Sequence, residues 1–296
     1  MNKELDKEIK SLDKEIKRAV IAMIIASSSF AMMAVMVKLS GGRIPLFQQV
    51  FFRNLIMIVF SGYSLIKNKV SIYVEKNQRL NLTLRSILGF AGVVCVFYAS
   101  NNLPLAVAQI LQKLNPIFVV IFAVIILGER LTKKGLATTM AAFAGAVLVI
   151  NPGGMVIGFS ALWPGLVGIL SALFGGLAYV MVGRMKGKVD GMVIIFYFSL
   201  FSTIVAAFPM AMNYVAPTGK EWLYLIMIGI FAAGGQYFIT KAYTGAAASR
   251  VTIFDYTGVV LSPVLGIIIF SEGLTLRTFI GMVIIIASGY IATKKP

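Results

Sequence analysis

Hydrophobic residues fall in ten long stretches, roughly 19–40, 45–66, 84–102, 104–127, 133–151, 161–183, 191–213, 222–243, 246–270 and 275–293, separated by short polar or basic segments. Each is close to the roughly 20 residues that an α-helix needs to cross a hydrocarbon core of about 30 Å. Backbone polar groups in lipid have no water to bond, so a spanning segment must satisfy them internally, and a helix does. The pattern predicts an all-α integral membrane protein with ten transmembrane helices. Composition agrees: 59% of the 296 residues are hydrophobic and the mean hydropathy is +0.90, whereas soluble domains are about 45–50% apolar.

The stretches repeat. Ile126-Leu-Gly-Glu-Arg-Leu-Thr132 returns 143 positions later as Ile269-Phe-Ser-Glu-Gly-Leu-Thr275, each copy ending one apolar stretch and preceding another. The same offset aligns Gly92 with Gly235, Ala99 with Ala242, Ile110 with Ile253 and Ala144 with Ala287 without a gap. A repeat this long governs the whole fold. The chain therefore divides into a charged N-terminal segment, 1–18, and two five-helix repeats, 19–151 and 161–293. Five spans per repeat is an odd number, so the second repeat enters the membrane from the opposite side. Inverted repeats suit alternating access around a site between the halves.

A net charge of +16 would suggest nucleic acid in a soluble protein, but its placement points to the membrane and to no nucleic-acid partner. Basic residues crowd into alternate segments: Lys3 to Arg18, Lys67 to Arg85, Arg130 to Lys134, Arg184 to Lys188 and Lys294-Lys295. The opposite side carries Lys38, Arg43, Lys220 and Arg277. By the positive-inside rule this multi-pass chain sits in the cytoplasmic membrane with both termini in the cytoplasm, and Trp163 and Trp222 fall at outer ends of spans as interfacial anchors. Leu5, Ile9, Leu12 and Ile16 give the N-terminal segment two heptads, which read as a solvated or membrane-surface helix rather than a cleavable signal. Histidine is absent and Cys95 is the single cysteine, so zinc chemistry, His-based triads and intrachain disulfides are excluded. No cofactor or metal is expected. Asn81-Leu-Thr83 matches a glycosylation sequon in a segment assigned to the cytoplasm and reads as chance.

Asn115-Pro116 followed by Leu127-Gly-Glu-Arg-Leu-Thr132, the second copy Ser271-Glu-Gly-Leu-Thr275, and Phe97-Tyr-Ala99 with Leu103-Pro-Leu-Ala106 resemble the drug/metabolite transporter superfamily, in particular EamA-type ten-helix carriers. The resemblance covers about 19–293. It implies a protein that moves a small metabolite across the cytoplasmic membrane, with amino acids and their derivatives, nucleosides, carboxylates, S-adenosylmethionine and riboflavin among the cargoes of the superfamily. The second copy departs at Ser271, where the first has Gly128, and Pro263 lies one turn later than Pro116.

Charged residues inside spans cost about 2.5–3.5 kcal/mol each on insertion scales, so they mark a partner or a polar cavity. Arg53, Lys113 and Asp255 lie in spans two, four and nine. Spans four and nine are symmetry mates and carry opposite charges at one depth, because Gln112 aligns with Asp255 and Lys113 with Tyr256. Gln109, Gln112, Lys113 and Pro116 share one helical stripe. Pro116 and Pro263 each remove a donor and free a carbonyl. Lys113 and Arg53 are expected to hold an anionic group while Asp255 faces an amine or exchanges a proton; the alternative is an ion pair that only joins the halves. Tyr98, Tyr237, Tyr256 and Gln236 are candidate substrate contacts, and Glu129 and Glu272 are assigned structural or gating roles.

No Gly-rich lysine loop for ATP is present. The expected activity is secondary active transport of a small polar or amphipathic metabolite, coupled to protons or to a counter-substrate. A channel or a broad-specificity drug exporter of the same fold is the alternative. Without His or clustered carboxylates for acid/base work, a membrane enzyme is the third and least favoured reading, and no enzyme activity is expected. Ser27, Ser28 and Ser29 occupy the first span where a cationic-drug exporter would carry an acid.

Overall fold

A computed structural model describes residues 2–40, 43–102, 110–150, 162–261, 264 and 275–293; Gln109, Pro263 and Glu272 lie outside the described residues. Helices fill the described chain, and no strand occurs within it. They are α1 Asn2–Leu39, α2 Leu46–Lys67, α3 Lys76–Asn102, α4 Asn115–Leu127, α5 Lys133–Ile150, α6 Leu162–Arg184, α7 Gly191–Met212, α8 Gly219–Gly245, the short α9 Ala248–Val251, and α10 Leu276–Thr293. Among the described residues eight helical segments are long and apolar enough to cross a membrane, and Leu276–Ala292 is a shorter apolar helix. The fold is that of an all-α membrane protein.

Helix ends follow local chemistry. Asp190 caps α7 by accepting from the Met192 N–H at 2.7 Å, and Thr218 with Glu221 forms a capping box on α8. Gly128 ends α4 in the left-handed region, φ 67°, a conformation that costs residues with a Cβ about 1–2 kcal/mol. That turn throws Glu129 off the helix axis.

Two expected boundaries move. α1 is one continuous 38-residue helix, so the charged segment runs into the first span without a break at residue 18. α3 begins at Lys76 rather than 84, which draws Lys76 and Arg79 into the helix and moves Arg85 from its first turn to its interior.

α3 and α8 are each 27 residues long and begin at 76 and 219; α5 and α10 are each 18 and begin at 133 and 276. α1 packs on α8, α3 on α6, α2 on α7 and α5 on α10. Exchanging the first five helices for the last five maps this set of pairings onto itself. Small residues bring the mates together: a Cβ on Gly145 of α5 would lie 2.8 Å from the Gly281 carbonyl oxygen of α10, and one on Gly92 of α3 would lie 3.2 Å from the Gly175 nitrogen of α6. Helices in lipid gain from such close approach through dispersion rather than from the hydrophobic effect. Large apolar side chains such as Ile66, Ile125, Phe208 and Ile286 are exposed along the helix surfaces, where lipid would cover them.

Candidate functional site

Two helices lose α-geometry at matching positions. Residues 110–112 are helical, Lys113 and Leu114 form a turn, and α4 restarts at Asn115 with Pro116 in its first turn. In the other half, α9 passes at Thr252–Tyr256 into a 3₁₀ turn before the α-helix resumes at 257–261. Tyr256 is the repeat mate of Lys113, so the two interruptions overlap at that position and end within one residue of each other. The first has a plain cause: proline lacks an N–H and clashes with the carbonyl four residues back. The expected continuous stripe through Gln112, Lys113 and Pro116 is therefore broken, and Gln112 is the last helical residue before the turn.

The interruptions face each other. Lys113 Nζ lies 3.5 Å from Asp255 Oδ2 and donates to the Asp255 carbonyl oxygen at 3.4 Å. The Tyr256 hydroxyl donates to the Lys113 carbonyl oxygen at 2.9 Å. Ser27 of α1 donates to the Asp255 carbonyl at 2.5 Å and accepts from the Gly258 N–H at 2.8 Å. The carbonyls of Lys113 and Asp255 at the breaks are thus each taken by a side chain from another element, as buried backbone requires. The ion pair is long and its two side chains keep 22% and 20% of their surface accessible. Water or a ligand can reach it.

Arg53 and Arg85 are buried to 7% and 2% of their surface. Arg85 stands over the ring of Phe198 at 4.2 Å and near that of Tyr179 at 5.7 Å. The two guanidiniums are within electrostatic range of one another and of Tyr179, and Tyr179 is within range of Asp255. Sequence reasoning missed Arg85 as a site residue by grouping it with the basic segment before the third span, although that span was placed from 84; Leu82 and Leu84 before it and Ile87 and Leu88 after it were the available signal.

Glu129 spans the two halves. Its carboxylate accepts from the backbone N–H groups of Ala248 and Ser249 at 2.8 and 2.9 Å and from the Ser249 hydroxyl at 2.5 Å. It caps α9, where the helix dipole favours an anion, rather than the helix that follows it in sequence. Glu129 also lines a cavity of about 440 Å³ with Arg184, Lys186 and Tyr243.

The other expected residues scatter. Gln236 is buried on α8 with its side-chain nitrogen unbonded among the described residues. Tyr237 packs edge-on against Phe60 and Phe238 and lines a second cavity of about 340 Å³ with Asp190 and Lys241. Tyr98 is 40% exposed near the end of α3. The structure joins Lys113, Asp255 and Tyr256 directly, and neither cavity is lined by them.

Long apolar helices, broken internally around a charged pair, are the architecture of membrane transporters, in which interrupted helices line the site. The chain belongs to the EamA-like transporter family, which matches residues 17–151 and 162–293. It is 30% identical over 277 residues to the pseudopaline exporter CntI of Pseudomonas aeruginosa strain UCBPP-PA14, covering 92% of this chain and 95% of that one. It is 30% identical over 236 residues to solute carrier family 35 member G1 of Homo sapiens, covering 76% of this chain and 65% of that one. A riboflavin transporter of Brucella anthropi is 26% identical over 277 residues, with 92% and 97% covered. A crystal structure superposes with a TM-score of 0.83 at 19% identity, over 95% of this chain and 98% of that one, which shows the shared fold.

Proposed function

We propose that this chain is a secondary active transporter of the cytoplasmic membrane that moves a small polar or amphipathic metabolite bearing an anionic group by alternating access. Amino acids, amino-acid derivatives such as S-adenosylmethionine, and carboxylates fit that description. The ten spans form two inverted five-helix repeats with both termini in the cytoplasm. The common offset of α3 with α8 and of α5 with α10, and the two segments of the family match, support the repeat. A relative named as an exporter of pseudopaline and others named as riboflavin transporters support small-molecule cargo.

One observation carries the reading: Lys113 and Asp255 meet across the halves at two matching helix breaks, paired at 3.5 Å and still one-fifth accessible. A pair held only for stability gains little from being long and wet, since close geometry and further hydrogen bonds are what repay the desolvation of its charges, and an exposed pair is worth little. A pair that must open to admit substrate needs both properties. The substrate's anionic group displaces Asp255 at Lys113, and Asp255 then takes the substrate's amine or a proton.

The test begins with a thermal-stability panel of amino acids, nucleosides, S-adenosylmethionine and carboxylates on the purified protein, since a ligand that binds the folded state raises Tm. Flux of the responding compound is then measured in proteoliposomes. Lys113→Ala and Asp255→Asn are each expected to reduce it to background while the protein still folds and reconstitutes. Normal flux in both variants contradicts the proposal.

A further inference from the structure

We infer that Arg53 and Arg85 form a second anion subsite, apart from the Lys113–Asp255 pair, which takes a doubly charged oxyanion of the cargo, a dicarboxylate or a phosphomonoester. The inference rests on the transporter reading and narrows its substrate class.

Charge accounting within the spans leads to it. Among the described residues the ion pairs are Arg43–Glu221, at a helix end, and Lys113–Asp255. Asp255 is the one carboxylate that the sequence places well inside a span, and Lys113 already faces it. Three interior cations, Arg53, Arg85 and Lys113, thus share a single anion. Two positive charges, on Arg53 and Arg85, remain without an ion-pair partner among the described residues.

Those two cations are the most deeply buried. Arg53 keeps Nε and Nη1 with no hydrogen-bond partner, and Arg85 keeps Nε with none, among the described residues. Buried guanidiniums otherwise bond and pair, because a desolvated charge left alone is strongly unfavourable. Here each also repels the other. Ring faces are the neighbours of Arg85, and cation–π contact steadies a cation without neutralising it. Unbonded polar atoms recur on the two helices packed against α2: Ser202 and Thr203 on α7, and Gln236 and Thr240 on α8. A planar fork presenting several donors suits a carboxylate or phosphate oxygen pair. The arrangement is asymmetric, since the repeat mates of Arg53 and Arg85 are Phe196 and Ile228. It is therefore specific to the first half and is not part of the duplicated framework.

The experiment is thermal unfolding of the full chain in detergent at constant ionic strength and pH near 7.5, with chloride, acetate, succinate or phosphate. Succinate or phosphate is expected to raise Tm by about 2 °C or more at millimolar concentration, beyond acetate and chloride. The member of the pair that responds assigns the dicarboxylate or the phosphate source. Arg53→Met and Arg85→Met are expected to lose that response while the ligand-free Tm holds or rises, because a charge without a partner is removed. No dianion response in the wild type, or a full response in both variants, overturns the subsite. If a methionine variant does not survive purification, Arg53→Lys and Arg85→Lys decide. The loss of the fork should raise the half-saturating concentration about tenfold, and an unchanged value overturns the subsite. The two proposals fail separately. Lost flux in Lys113→Ala without a dianion response removes the subsite alone; a dianion response with normal flux in Lys113→Ala and Asp255→Asn removes the ion-pair mechanism alone.

Discussion

Ser27 shows how one hydroxyl can organise a transport site. It accepts from the Gly258 N–H and donates to the Asp255 carbonyl, so it ties α1 to the interruption in the ninth span and fixes where Asp255 sits. Ser27→Ala removes both bonds, at about 0.5–1.5 kcal/mol each; the expected result is a lower Tm with weaker substrate affinity, read by thermal unfolding and by flux. Tyr256→Phe should act similarly through the Lys113 carbonyl. The sequence named Lys113, Asp255 and Tyr256 because charge inside an apolar run is conspicuous. It did not name Ser27 as a contact, because a serine in a span can bond its own helix, as Ser28 and Ser29 do to Ile24 and Ile25. Only the fold shows which hydroxyl leaves its helix.

Breaks and close approaches are properties of elements. Pro116 foretold a discontinuity in span four, and the turn at Lys113-Leu114, with Leu114 still in the right-handed helical region, shows it as a local interruption within the segment Ile110–Leu127. The 3₁₀ turn at Thr252–Tyr256 has no proline within it, which is why sequence reading placed the second break later, at Pro263. Pro116→Ala permits a continuous helix through Lys113, and is expected to preserve folding while reducing transport severalfold in proteoliposomes. The α5–α10 contact offers a separate test. A side chain at Gly145 meets the Gly281 backbone, so Gly145→Leu should cost about 1–3 kcal/mol as overpacking does, seen as a lower unfolding temperature with no selective effect on substrate affinity.

At the scale of the molecule, apolar runs and the 143-residue offset made the helical framework legible, and the matching bounds of α3 with α8 follow them closely. The burial of Arg85 was not legible, because a charge in the first turn of a predicted span reads as part of the basic segment before it, and the helix in fact begins at Lys76. The proposed inverted arrangement predicts that impermeant thiol reagents, applied to a Cys95→Ala background, label Lys69→Cys from the cytoplasmic side and Val215→Cys from the outside; labelling of both from one side contradicts it. The proposed alternating access places the functional weight on the link between halves at Lys113 and Asp255. If that link were only structural, neutralising both ends together would restore what each single change removes, since an ion pair can often be exchanged for packed neutral residues without loss. Substrate counterflow in proteoliposomes containing the double variant Lys113→Met/Asp255→Asn is therefore the most direct measurement. This reading predicts a folded, reconstituted protein with no counterflow; counterflow near the wild-type rate would contradict it.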